Sequence, residues 1–117
     1  MIIGVPIEIK ENENRVSMTP YAVRTLINDG HEVLVQESAG LKSGFSNDEY
    51  TKFGARIVGT LDEVYQQSDM IVKVKEPQEA ELSKIRESQI VFTYFHFAAS
   101  KKLTESIVDS KCIALAY

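Results

Sequence analysis

Short runs of strand-forming residues alternate with capped helical segments along the whole chain, and the connections between them are short. Parallel strands cannot be joined by tight hairpins and need a crossover, which a helix supplies, so this alternation is the pattern of a parallel sheet with right-handed connections. The strand runs are Ile2 to Pro6, His31 to Gln36, Ala55 to Val58, Met70 up to the stop at Pro77, Gln89 to Tyr94, and Lys111 to Ala116. Between them lie helix starts with a physical signature. Thr19-Pro20 places a hydroxyl cap before proline at the first helical position, and Ala22, Val23, Leu26 and Ile27 form the stripe that follows. Ser46-x-x-Glu49 and Thr60-x-x-Glu63 are capping boxes, and Ser100 caps a helix carrying Leu103 and Ile107. Leu82 and Ile85, three apart, predict a further helix to about Arg86. Gly30 and Gly54 terminate two of these segments. The expected fold class is α/β: an open, mainly parallel sheet with helices on both faces, of the doubly wound Rossmann-like or flavodoxin-like type.

At 117 residues the chain has the length of one domain. Its net charge of −4 argues against a nucleic-acid partner, which requires a basic footprint. The single cysteine, Cys112, lies in an apolar run and reads as a small core residue, in keeping with a reducing cytoplasm. The N-terminus lacks the basic region and apolar core of a signal peptide, and no run approaches the length of a membrane span, so no membrane partner is expected.

The fourth strand is unusual because Lys73 and Lys75 stand inside it, two residues apart, which under the period-2 rule puts them on one face. Lysines on a central strand need an anion or an opening, and the carboxyl ends of the strands provide the opening in folds of this type. Lys75, next to Glu76-Pro77, is the better placed. Two lysines reaching solvent from an edge strand satisfy the same pattern.

Arg15, after the first strand, and His96, after the fifth, fall at the same end of the sheet as Lys75. Together they have a specific chemistry. Arginine offers a planar fork matching a carboxylate, lysine a mobile point charge for a single oxygen, and histidine a proton shuttle near neutrality. Such a set suits a small 2-oxo acid. A charged loop also accommodates a merely solvated Arg15, and a histidine between two phenylalanines also fits a partly buried residue with one hydrogen bond. His31, directly after Gly30, reads as a surface residue. The glycines at 4, 30, 40, 44, 54 and 59 form neither G-x-G-x-x-G nor a P-loop, and no Cys/His cluster has metal-ligand spacing. Any redox cofactor is therefore expected to be held elsewhere.

The motifs Ile3-Gly-Val-Pro-x-Glu-Ile-Lys10, Asn14-Arg-Val16, Thr19-Pro20, Gly30-His-Glu-Val33, Ala39-Gly40, Ser43-Gly-Phe-Ser46, Lys73-Val-Lys-Glu-Pro77 and Phe92-Thr-Tyr-Phe-His96 occur in the order and spacing of one family. Over its whole length the chain resembles the N-terminal part of alanine dehydrogenase. The resemblance implies that residues 1–117 are a substrate domain, followed in the complete enzyme by a Rossmann domain that binds NAD and is not in this chain. It implies reversible oxidative deamination of L-alanine to pyruvate and ammonium, with the small-molecule substrate as partner, and a homo-oligomer, a hexamer. Arg15 would pair with the substrate carboxylate, Lys75 would bond its carboxylate or carbonyl oxygen, and His96 would be the acid/base. Ile7 departs from the family, which commonly has lysine there. The same domain of the proton-translocating NAD(P) transhydrogenase alpha subunit shares the arginine motif but generally lacks counterparts of Lys75 and His96. A stand-alone domain that binds a small acid or only assembles with partners is the remaining alternative.

Overall fold

The computed structural model describes all residues, 1–117. Six strands, β1 (Ile2–Val5), β2 (Glu32–Gln36), β3 (Arg56–Val58), β4 (Met70–Lys75), β5 (Ile90–Tyr94) and β6 (Ile113–Ala116), form one sheet in the order β3-β2-β1-β4-β5-β6. Every neighbouring pair is parallel. The helices are α1 (Pro20–Asn28), α2 (Asn47–Lys52), α3 (Leu61–Gln67), α4 (Glu79–Leu82) and α5 (Lys101–Ser110). This is the doubly wound α/β fold expected from the alternation, and its strand order reverses between β1 and β4.

The local signals act as their chemistry requires. Thr19 accepts from the backbone N–H of Ala22 at the start of α1, and Ser100 accepts from Leu103 at the start of α5. Both capping boxes close reciprocally, Ser46 with Glu49 and Thr60 with Glu63. Gly30 follows α1 at φ 86, a left-handed conformation that would strain a residue bearing a Cβ. The expected helix to Arg86 is instead the single turn of α4, after which the chain continues in turns to Ser88 at φ 64. Glu81 in that turn is fully buried, so tertiary contacts and not helix propagation fix its conformation.

Two apolar cores lie on opposite faces of the sheet. Val5, Val33 and Val35 pack with Val23 and Tyr50 beneath α1 and α2. Ile71 and Val91 pack with Val64, Tyr65, Leu103 and Ile107 beneath α3 and α5. Cys112 is half-buried against this second cluster. At Gly4 a Cβ would stand 2.3 Å from Ser68 Oγ and 2.8 Å from Val64 Cγ1, so the bare backbone is what lets α3 approach β1. Over β4–β6 the first face has no helix on it, and Tyr94, Ile113 and Leu115 are left exposed.

Strand β4 departs from the period-2 expectation that put Lys73 and Lys75 on one face. Between Val72 and Lys75 strand β4 advances three residues while β5 advances two, from Phe92 to Tyr94, so β4 carries a bulge. The period-2 count fails across it, and Lys73 and Lys75 leave the strand on opposite sides. Lys73 enters the core, 1% exposed, between Glu8 at 3.2 Å and Glu81 at 2.9 Å. Lys75 turns toward Tyr94. The strand is central, which removes the edge-strand alternative.

Candidate active site

The segment between β1 and α1, Pro6 to Thr19, rises from the carboxyl end of the sheet where the strand order reverses. Its side chains tie it to β4. Glu8 binds Lys73 and Lys10 pairs with Glu76, while Ser17 Oγ donates to the Val72 carbonyl at 2.7 Å. Ile7 contributes its backbone N–H to Gln36 Oε1 at 2.9 Å and packs against the α1 core, so its side chain acts in local packing.

Within this segment Arg15 is held by Glu13. The guanidinium Nε donates to Oε1 at 2.8 Å and Nη2 to Oε2 at 2.7 Å, and the Arg15 backbone N–H donates to Oε1 at 2.9 Å. Glu13 is 7% exposed, whereas the Arg15 side chain remains 66% exposed. One edge of the fork is therefore engaged by the protein's own carboxylate, and the remaining N–H groups face outward. Hydrogen bonding from Arg15 drops the Glu13 pKa from 4.5 to about 2, overcoming the opposing effect of burial.

Arg15 and Lys75 line a single open cleft of about 380 Å³ with Val74, Tyr94 and Tyr117. The Lys75 ammonium lies 5.8 Å from the centre of the Tyr94 ring. Tyr117 donates through its hydroxyl toward the carbonyls of Lys73 and Val74, at 3.0 and 3.1 Å, and its ring meets Phe92 edge-on with centroids 5.1 Å apart. Burial pushes the Tyr117 phenol above its ordinary range, and the Glu8 carboxylate adds to the effect.

His96 lines the adjoining cleft, with Glu76, Pro77, Ser100 and Leu103. Tyr94 connects the two, since its ring centroid is 5.7 Å from that of His96. Of the three residues expected to meet, two share a cleft and the third stands on the other side of one aromatic ring. At His96 the backbone is left-handed, φ 54 and ψ 45, a conformation that costs a non-glycine residue about 1–3 kcal/mol. That turn carries the chain from β5 into the short 3-10 turn Phe97–Ala99, where Phe95 and Phe97 stack with centroids 4.6 Å apart. His31 lies far from all three, half-buried beside the N-terminus, 3.4 Å from the Met1 amine.

Sequence reasoning missed Glu8, Glu13, Tyr94 and Tyr117. The two glutamates precede Arg15 in the one long polar connection, and that clustering of carboxylates ahead of a lone arginine is the available signal.

Because the Glu13 carboxyl ionises more easily in the folded than in the unfolded chain, its contribution to stability is complete above about pH 4.5 and is lost as pH falls toward about 2. Glu13→Gln removes that titration. Urea midpoints measured from pH 6 to pH 2 are expected to fall less steeply for Glu13→Gln than for the parent protein. Parallel acid limbs would contradict the pairing.

Residues 4–117 match the profile of the family described as "Alanine dehydrogenase/PNT, N-terminal domain". The chain is 49% identical to the alanine dehydrogenase of Staphylococcus saprophyticus, 45% to that of Methanococcus maripaludis and 44% to that of Mycobacterium tuberculosis. Each alignment covers the whole chain and only 31%, 31% and 32% of the relative, so the chain spans about a third of the length of these proteins. Among solved structures, an L-alanine dehydrogenase superposes with a TM-score of 0.97 at 42% identity, covering 100% of this chain and 32% of that one. A transhydrogenase from Sinorhizobium meliloti superposes at 0.92 with 27% identity, covering 99% of this chain and 34% of that one. The chain belongs to the alanine dehydrogenase/PNT N-terminal domain family.

Proposed function

We propose that this chain is the substrate-binding portion of an NAD-dependent alanine dehydrogenase, which interconverts L-alanine with pyruvate and ammonium. The observation that carries the reading is the cleft at the strand-order reversal, where the outward edge of Arg15 and the ammonium of Lys75 converge beside Tyr94. Two cations of different geometry in one small opening match a 2-oxo acid, whose carboxylate takes the arginine fork and whose neighbouring oxygen takes the lysine. Lys75 also balances charge that develops on that oxygen. His96, one ring away, is assigned the proton: it accepts one from water or substrate nitrogen and returns it as the bond to nitrogen breaks or forms.

NAD would supply the hydride acceptor, but the residues of this chain do not fit it. The connection after β1 has no glycine between Pro6 and Thr19, and it brings Glu8 and Glu13 to the place where a pyrophosphate would need backbone N–H groups at a tight turn. In our reading the dinucleotide is held by a Rossmann domain elsewhere in the full-length protein. The working enzyme is a cytoplasmic homo-oligomer, a hexamer. No helix of this chain is long and apolar enough to cross a membrane.

Arg15→Lys in the complete enzyme keeps the charge and loses the fork, so kcat/KM for pyruvate is expected to fall about a hundredfold, with KM bearing much of the loss. Turnover equal to the parent enzyme would remove Arg15 from the site. For His96→Ala the expected loss is in kcat, about a hundredfold or more. Unchanged turnover with a lower melting temperature would assign His96 a packing role instead.

A further inference from the structure

Strand β1 pairs with β4 only at Ile3 with Met70 and Gly4 with Ile71. Beyond that point β4 runs on without its neighbour, and its exposed backbone groups must find other partners. Glu8 is one of them. Its Oε1 accepts from the Val74 backbone N–H at 2.6 Å, and its Oε2 accepts from the Lys75 backbone N–H at 3.3 Å and from Lys73 Nζ at 3.2 Å. The residue is 5% exposed, 65 to 67 positions away from its partners in sequence, and it spans the bulge of β4.

We propose that Glu8 is a positioning residue for Lys75. Its carboxylate clamps the consecutive N–H groups of Val74 and Lys75, and this holds the bulge in the one register that sends the Lys75 side chain into the Arg15 cleft instead of after Lys73 into the core. The inference rests on the reading of Lys75 as a substrate ligand. Three donors converge on Glu8, and only an ionised carboxyl group has acceptors alone to offer. A glutamine in its place turns an NH2 group against one of these donors, so one end of the clamp is lost while side-chain volume is kept. The fold tolerates that exchange on charge grounds. Lys73 retains Glu81 at 2.9 Å, which is itself held by the Tyr65 hydroxyl at 3.1 Å and the Gln78 backbone N–H at 2.8 Å. Burial together with the Glu81 carboxylate holds the Tyr65 phenol well above its usual range, so Tyr65 remains a donor to Glu81.

The test is a double-mutant cycle in the full-length enzyme, reading kcat/KM for pyruvate in Glu8→Gln, Lys75→Ala and the combined variant. A misplacement of the Lys75 ammonium by about 1 Å is expected to cost Glu8→Gln about a hundredfold, with KM for NADH unchanged. In the Lys75→Ala background the same substitution is expected to add nothing, because there is no side chain left to place. A purely structural role gives the same fold-loss in both backgrounds, and that result would overturn the proposal while leaving Lys75 as ligand. Full activity of Lys75→Ala would overturn the ligand reading, and this inference with it. Should Glu8→Gln not be recovered folded, Glu8→Asp, which keeps a carboxylate for Lys73 and shortens its reach to the Val74 and Lys75 N–H groups, runs the same cycle. Failure of both to fold assigns Glu8 to stability alone.

Discussion

A strand that outruns its neighbour in a sheet leaves backbone donors and acceptors that must be satisfied some other way, and in this protein β4 does so beyond Ile71. Side chains replace the missing strand. Glu8 takes N–H groups, Ser17 and Tyr117 take carbonyls, and Thr93 Oγ1 closes the other side by donating to the Lys75 carbonyl at 2.7 Å. The bulge, the divided orientation of the two lysines and the cleft all lie within this stretch. Its polar substitutes also explain why the connection after β1 is long: it must reach across to β4 and the residue after it with the acid Glu8, the base Lys10 and the hydroxyl of Ser17 in turn.

Lys73 makes the arrangement rigid. An ammonium buried between two carboxylates is costly to strip of both, since a buried charge left with no partner and no water costs about 3–5 kcal/mol. The pair Lys73–Glu8 joins β4 to the first connection, and Lys73–Glu81 joins it to α4. Lys10 with Glu76 adds a second tie from the same connection to the residue after β4. The two cations that face the cleft are thus mounted on elements locked to each other through a third that never reaches solvent. Glu13 serves Arg15 in the same manner, fixing the guanidinium by one edge and leaving the other free.

Much of the fold was legible because its signals are local. Caps at Thr19, Ser46, Thr60 and Ser100 act on backbone three residues away, and the alternation of strand and helix leaves few topologies for the sheet. A helix at Leu82 was legible but its shortness was not, since the contacts of Glu81 with Lys73 and Tyr65 fix the single turn of α4 and neither is near in sequence. The opposite orientation of Lys73 and Lys75 was hidden for a related reason. A bulge is set by what the neighbouring strand and connection provide, here Glu8, and periodicity along one strand contains no trace of it. Arg15, Lys75 and His96 were visible as residue types at the right end of the sheet. Tyr94, which stands between them, shows in the sequence only as the end of a strand.

In the proposed function, substrate enters the cleft that Arg15 and Lys75 line beside β4. The most direct measurement is a crystal structure of the full-length protein with pyruvate bound. The expected density lies between the free edge of Arg15 and the Lys75 ammonium, with the carboxylate on the arginine and His96 turned past Tyr94 toward the ligand. Pyruvate seated away from both cations would contradict the account.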